Sequence, residues 1–378
     1  MSAALERAPA EAGRRALLVG RAPAVMEAVL AELRALGFEA VGETEPERAA
    51  DRPDAGAFDV VAIGRGVTGE MRAGLRRRFL ARNPRAKLLD VTLREAAGRV
   101  AGALAGRDPQ AVDLGAYFAR IGYAGPVGVS LETLEALVSA HLDAIPFENL
   151  DVLTRRGVDI SPAAVDAKLI GARRGGYCYE QNGLFARVLA ALGFEVDALL
   201  ARVLMGQQPG RPLGRSHMTL KVTIGEQAYL TDVGFGGFVP PAPLPLGSDA
   251  PRTTAHERYR VSDFGPLKMM EVETEGAWAP MYEFSQEPQL AVDYEAANWF
   301  TSTHHASFFA RRIVAARTAP DARYALFGRR LTIRRPGGTS ERHELDAAGI
   351  ERALAEIFRL PVAEEWRPLI EAAAAEAA

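Results

Sequence analysis

One thiol stands in 378 residues: Cys178, inside the stretch Arg173–Asn182, RRGGYCYEQN. A lone thiol makes no internal disulfide, so it serves either as a small apolar filler or as a nucleophile. Leu184, Val188 and Leu192 follow at helical spacing and Gly193 supplies the stop, which puts Cys178 at or near a helix N-terminus. Free N–H groups and the helix dipole favour an anion there, and the thiolate is the reactive form of cysteine. Gly175 and Gly176 are expected to let the backbone turn sharply and to leave room for a substrate. Placement alone leaves both uses of the thiol open.

A base for the thiol comes from Ser216–Gly237, SHMTLKVTIGEQAYLTDVGFGG. Met218, Leu220, Val222 and Ile224 alternate with polar residues, so His217 shares its strand face with Thr219 and Lys221. A turn around Gly225-Glu226 lies close to the midpoint of positions 217 and 232. An antiparallel return therefore sets Asp232 opposite or nearly opposite His217, on the same face. A carboxylate holding an imidazole that activates a thiol is a nucleophilic triad in its general form. Without the cysteine motif, a polar pair on a surface hairpin explains the same spacing.

The rest of the chain must position these groups. Hydrophobic residues make up 48% and charged residues 25%, enough for packed cores in two or three domains. A net charge of −3 gives no global attraction to nucleic acid or to acidic membranes. The basic run Arg76–Arg78 reads as a solvated helix face. No secretory h-region and no membrane-length apolar run appears, and a single cysteine suits a reducing, cytoplasmic setting.

Residues 1–14 read as a disordered leader. From 15 to 108, short apolar runs alternate with helical spacing, as in ALLVG, FEAVG, FDVVAIG and KLLDV. That pattern predicts an α/β domain on a parallel sheet, receiver-like or half-Rossmann in outline. In its first helix Val25, Val29, Leu33 and Leu36 form the expected apolar stripe, with Gly37 as the stop. Neither outline keeps its chemistry. GRAPAV stands where a Gly-x-Gly-x-x-Gly would follow the first strand, and Ile63-Gly64-Arg65 where a phosphoryl-accepting aspartate would end the third. A regulatory or oligomerising role is expected of this domain, with a degenerate ligand site as the alternative. Arg107–Asp113 reads as a linker. Helices are expected over 113–196, alternating strands over 197–310, and a mixed α/β segment with a helix from about Asp346 to Phe358 over 311–378.

RRGGYCYEQN, together with DLGAYFARIGYAGP (Asp113–Pro126), HLDAIPFENLD (His141–Asp151), SHMTLKV, TDVGFGG and Tyr282–His305, resembles the arylamine N-acetyltransferases. The resemblance covers about Asp113 to the C-terminus, with the motifs in the family's order. It implies a papain-like α+β cysteine transferase with a helical subdomain, a β-rich subdomain and an α/β lid. It implies Cys178 as nucleophile, His217 as base and Asp232 as the orienting acid. Acetyl-CoA would be the co-substrate and a small aromatic amine or hydrazine the acceptor, with no permanently bound cofactor and no metal. By family position, Phe147 and Phe235 would wall the pocket, and Gly234, Gly236 and Gly237 would let the backbone pass close to CoA. Glu148 and Arg174 are expected to pair and brace the motif.

Two departures stand out. The segment before Asp113 is an addition to a family that usually has one catalytic unit, and His305 in STHHASFF stands where the family usually has proline. Three other readings share the motifs: an amide synthase releasing a polyketide chain with the same triad, a cysteine hydrolase, and a signalling scaffold with a vestigial catalytic part.

Overall fold

The computed structural model describes residues 14–64, 66–83, 86–92, 95–105, 110–206 and 214–376. The leader, Arg14 apart, and residues 107–109 of the expected linker lie outside those residues. The chain divides into two compact units, Met1–Ala111 and Val112–Ala378.

The first unit runs β1 (Arg15–Val19), α1 (Pro23–Ala35), β2 (Glu39–Glu43), α2 (Pro46–Ala49), β3 (Val60–Gly64), α3 (Gly69–Arg82), β4 (Lys87–Val91) and α4 (Ala96–Leu104). Its sheet has the order β2-β1-β3-β4, all pairs parallel. Alternate residues of β1 and β3 enter two different cores: Ala16, Leu18, Val60 and Ala62 on one face, Leu17, Val19, Val61 and Ile63 on the other. Burial on both faces is why these strands read as unbroken apolar runs. Gly37, at φ 87°, lets the chain leave α1. The α1 stripe differs from the one expected. Met26, Val29, Leu30 and Leu33 are buried, whereas Val25 and Leu36 are exposed. Leu36 is the C-cap rather than a helical residue, and Val25 sits in the first turn, beside an open cavity. In the basic run, Arg76 is mostly buried against Asp90 at 2.7 Å rather than free in solvent.

The second unit opens with α5 (Leu114–Ile121), α6 (Leu131–Ala144), β5 (Phe147–Glu148), α7 (Leu150–Leu153), α8 (Pro162–Val165) and α9 (Cys178–Ala191). Asp113 Oδ1 accepts from the Ala116 N–H and Ser130 Oγ from the Thr133 N–H, so both long early helices start on side-chain caps. Next come β6 (Glu195–Val203), β7 (His217–Ile224), β8 (Gln227–Thr231), β9 (Leu244–Pro245), β10 (Arg252–Thr253), β11 (Arg258–Phe264), β12 (Leu267–Thr274) and β13 (Ala277–Phe284). They form one sheet in the order β10-β11-β12-β13-β6-β7-β8-β9, with α9 packed against β6 and β7.

After α10 (Ala291–Thr303), a second sheet forms from β14 (Val314–Thr318), β15 (Arg323–Phe327), β16 (Arg330–Arg334) and β17 (Ser340–Glu344). Its order, β17-β16-β15-β14-β5, draws β5 in from the helical part of the unit. Within the segment expected to be mixed α/β, 311–378, β15 and β16 form a hairpin turned at Gly328 with φ 57°. The expected helix over 346–358 begins as α11 (Ala347–Arg352), widens into a π-helical turn over Ala353–Ile357, and is followed by α12 (Arg367–Ala375).

Candidate active site

Cys178 is the first residue of α9 and is buried. The loop before it is held by charge. Glu180 Oε2 accepts from the Tyr177 N–H at 3.0 Å, and Lys168 Nζ reaches Glu180 Oε1 at 2.7 Å. Arg174 donates to Glu148 Oε1 at 2.6 Å and to Asp151 Oδ1 at 2.8 Å, while Lys168 Nζ lies 2.7 Å from Asp151 Oδ2. The Glu148–Arg174 pair is therefore part of a network of two cations and three carboxylates. Burial works against ionised Asp151, but the charges of Lys168 and Arg174 hold its carboxyl below the usual range. Burial pushes Glu180 up to about 7, even against Lys168. The Arg174 guanidinium also lies 4.7 Å from the centre of the Trp366 ring, which ties the loop to the C-terminal core.

The paired glycines work differently from expectation. A Cβ on Gly175 would sit 2.2 Å from the Pro146 carbonyl oxygen, and one on Gly176 would sit 2.6 Å from Glu180 Oε2. The missing side chains make room for protein atoms, not for substrate. The residue with left-handed backbone here is Arg173, at φ 53°. Gly176 and Phe147 bridge, so this close approach joins the loop to β5.

The hairpin pairs Leu220 with Thr231 and Ile224 with Gln227. Continuing that register sets Asp232 opposite Thr219, two residues from His217, because the turn centres one residue beyond the arithmetic midpoint. The shift of two preserves the face, and His217 Nε2 meets Asp232 Oδ2 at 2.6 Å. Both strand faces are buried here: His217 and Thr219 on one face, Met218 and Leu220 on the other, are each at most 6% exposed. A surface pair is thereby ruled out. With Nε2 on the aspartate, Nδ1 is the nitrogen left for Cys178, whose thiol makes a hydrogen-bond contribution to the imidazole's charge state. The sulfur also lies 3.9 Å from the Ser216 carbonyl oxygen.

Asp232 is saturated with donors. Oδ1 accepts from Asn182 Nδ2 at 3.0 Å and from the Gly234 N–H at 2.8 Å, and Oδ2 accepts from the Tyr282 hydroxyl at 3.0 Å. Burial opposes ionisation, yet the imidazolium, its hydrogen bond and these N–H donors hold the carboxyl below its usual range. Burial likewise opposes a charged His217. The Asp232 charge and hydrogen bond, with a further contribution from Cys178, outweigh it and raise the imidazole from 6.5 to about 10.

The Phe235 ring stands edge-on to His217 at 5.1 Å, and Phe147 packs on Phe309 at 5.6 Å. A Cβ on Gly234 would lie 2.7 Å from Cys178 Cα, so this glycine is required by the cysteine itself. Gly236 has φ 94°, and a Cβ on Gly237 would meet only ordinary contact at 3.7 Å. His305 is exposed, its ring 4.3 Å from that of His304. Among the described residues, no cluster of three His, Cys, Asp or Glu has the arrangement of a metal site.

Sequence reasoning missed Tyr282, Phe309 and the function of Asn182. Asn182 lay inside the quoted motif, one helical turn after Cys178, and that spacing was the available signal. It also missed a buried chain behind the loop: the Tyr117 hydroxyl meets His141 Nδ1 at 2.8 Å, His141 Nε2 meets Gln181 Oε1 at 3.1 Å, and Gln181 Nε2 donates to the Gly176 carbonyl at 2.8 Å. Burial drives His141 down to about 3, so this imidazole is neutral. Its Nε2 carries the proton and its Nδ1 accepts from tyrosine.

A family model described as N-acetyltransferase matches residues 130–367. The arylamine N-acetyltransferase of Mycobacterium tuberculosis is 42% identical over 258 residues, covering 67% of this chain and 91% of its own length. This chain belongs to the arylamine N-acetyltransferase family. The Escherichia coli arylamine N-acetyltransferase is 38% identical over 248 residues, covering 65% of this chain and 88% of its own length. A solved structure of the Mycobacterium marinum arylamine N-acetyltransferase, in complex with CoA, superposes with a TM-score of 0.66 at 42% identity, over 69% of this chain and 98% of that one. The N-acetyltransferase model leaves residues 1–129 unmatched, so the assembling or regulating role expected of the first unit draws no support from it.

Proposed function

We propose that the second unit transfers an acetyl group from acetyl-CoA to the nitrogen of an arylamine or arylhydrazine, through an acyl-enzyme on Cys178. The observation that carries this reading is the buried 2.6 Å contact of His217 Nε2 with Asp232, at the start of the helix that bears the thiol. The names of the relatives support an arylamine acceptor. The amide-synthase alternative has no counterpart among those relatives and is not carried further. The helices up to Ala191, the eight-stranded sheet and the C-terminal sheet are consistent with a papain-like layout of three subdomains. A lone nucleophilic thiol suits a reducing compartment such as the cytoplasm.

The charged imidazole stabilises the Cys178 thiolate, which attacks the acetyl carbonyl. The developing oxyanion is met by backbone N–H groups, including that of Cys178, which has no acceptor within the first turn of α9. The bond from carbon to the CoA sulfur breaks, and His217 gives its proton to the departing thiolate. The amine then attacks the enzyme thioester. Neutral His217 takes the proton from the nitrogen as the Cys178 sulfur leaves, which restores the starting ion pair. Asp232 stays ionised throughout, held by Asn182, Gly234 and Tyr282, and keeps Nδ1 turned toward the sulfur.

Intact-protein mass spectrometry after mixing with acetyl-CoA alone tests the scheme. One added acetyl group is expected on the wild type and none on Cys178→Ala. A folded wild type that turns over amine yet never carries the group would overturn the covalent route.

A further inference from the structure

Three buried side chains behind the nucleophile loop take no part in the acyl-transfer steps, yet their hydrogen bonds all run one way. A carbonyl only accepts, so Gln181 must turn Nε2 toward Gly176 and Oε1 toward His141. His141 must then donate from Nε2, which leaves Nδ1 to accept from the Tyr117 hydroxyl. Tyr117, His141 and Gln181 are at most 1% exposed, so bulk water does not stand in for a lost partner. Arg120 supports the arrangement. Its guanidinium donates to the carbonyls of Ala144, Leu169, Arg173 and Arg174, and its charge adds to burial in keeping His141 neutral.

The chain ends one peptide short of the Cys178 N–H. The Gly176 carbonyl takes Gln181 Nε2 at 2.8 Å and the Glu148 N–H at 3.1 Å, while the N–H of the same peptide, on Tyr177, gives to Glu180. The next peptide joins the Tyr177 carbonyl to the Cys178 N–H. Its carbonyl accepts from the backbone N–H of Gln181 at 3.0 Å. Gln181 therefore grips two successive carbonyls, one with its side chain and one with its backbone. The peptide that carries the Cys178 N–H cannot rotate without straining one of these grips. The triad depends on other residues: Asn182, Gly234 and Tyr282 hold Asp232.

We propose that Gln181 is a positioning residue, locked in one amide orientation by His141 and Tyr117, that aims the Cys178 N–H at the oxyanion formed during acylation. The inference rests on the acyl-enzyme reading. Once the chain is broken, the amide is free to turn over and set Oε1 against the Gly176 carbonyl. Two acceptors repel there, and the oxyanion donor loses its aim while the sulfur keeps His217.

Two reactions of the same sulfur in the full chain separate aim from reactivity. p-Nitrophenyl acetate acetylates Cys178 through a tetrahedral oxyanion and releases p-nitrophenolate. Iodoacetamide alkylates it by direct displacement of iodide, with no oxyanion. Gln181→Met keeps the bulk and removes both polar ends, and the Gly176 carbonyl retains the Glu148 N–H. The acylation rate at saturating ester is expected to fall about 10- to 100-fold. The half-saturating ester concentration and the alkylation rate should each stay within about twofold. Tyr117→Phe removes one hydroxyl at the far end of the chain and should slow acylation about three- to tenfold, again with alkylation unchanged. A general loosening of the site would instead slow both reactions together, and that result overturns the inference. So does an acylation rate within about twofold of wild type in folded Gln181→Met or, should that variant not fold, in Tyr117→Phe. A folded wild type that takes no acetyl group from the ester or from acetyl-CoA overturns the acyl-enzyme reading and this inference with it, whereas normal acylation in wild type and variants alike overturns this inference alone.

Discussion

His141 and His217 are both buried, at 0% and 3% exposure, yet one is driven down to about 3 and the other raised to about 10. Burial pushes both in the same direction, toward the neutral form. The outcome is decided by what stands across each hydrogen bond. His141 meets a neutral amide and a phenol, and its neutral tautomer satisfies both. His217 meets a carboxylate that is itself supplied with three further donors, and the two charges hold each other, the imidazolium lowering Asp232 and the carboxylate raising His217. One imidazole is a neutral strut and the other is charged, as the proposed proton transfer requires, and a single partner atom separates the two.

The largest way to break this contrast is Asp232→Asn. It makes His217 resemble His141: neutral, with its tautomer set by an amide. The expected loss in kcat/KM with acetyl-CoA and an aromatic amine is about 10³- to 10⁴-fold. Retention of more than a tenth of wild-type activity would mean that Asp232 does not govern His217.

The pH dependence of stability sharpens the contrast, with opposite signs for the two residues. The folded state keeps the His217 proton up to about 10, whereas the unfolded chain releases it near 6.5. Its contribution is therefore full below pH 6.5 and is lost as pH rises to 10. His141 is held neutral down to about 3, so its contribution is full above pH 6.5 and is lost as pH falls toward 3. Each limb carries up to about 1.4 kcal/mol per pH unit for one proton. Urea unfolding across pH should show His217→Gln flattening only the alkaline limb and His141→Gln only the acidic one. Effects on the opposite limbs would reverse the assignment.

The converse exchange, Gln181→Glu, is a smaller step. It gives His141 a carboxylate and should raise its pKa by about 1–3 units in an NMR titration. No rise would show that cavity polarity, not the partner, controls the ring. The smallest effect is expected outside both pockets, at His305→Pro. His304 already has φ −72° and ψ 133°, the extended backbone that a residue before proline favours. Its neighbour is exposed, so the unfolding free energy should change by less than about 0.5 kcal/mol. A larger loss would show that the imidazole ring at 305 has a local role.

The bond between His217 and Asp232 could be foreseen because strand alternation survives a register error of two: the face is the same either way. The position of Cys178 at a helix start was equally legible from the spacing of Leu184, Val188 and Leu192. Tyr282 was not, since it reaches Asp232 from a strand fifty residues further along the chain. The work of Gly175 and Gly176 was misread for the same reason. What fills their space is Pro146 and Glu180, and Pro146 arrives from thirty residues upstream through the bridge of Phe147 with Gly176. Local spacing reports which face a side chain occupies. It does not report which remote backbone arrives there.

The solitary thiol has a practical consequence. Any thiol-directed fluorophore, cross-linker or heavy atom that reaches the native chain can attach at only one atom. No background cysteines need removal before labelling, and one equivalent of reagent should titrate working molecules directly.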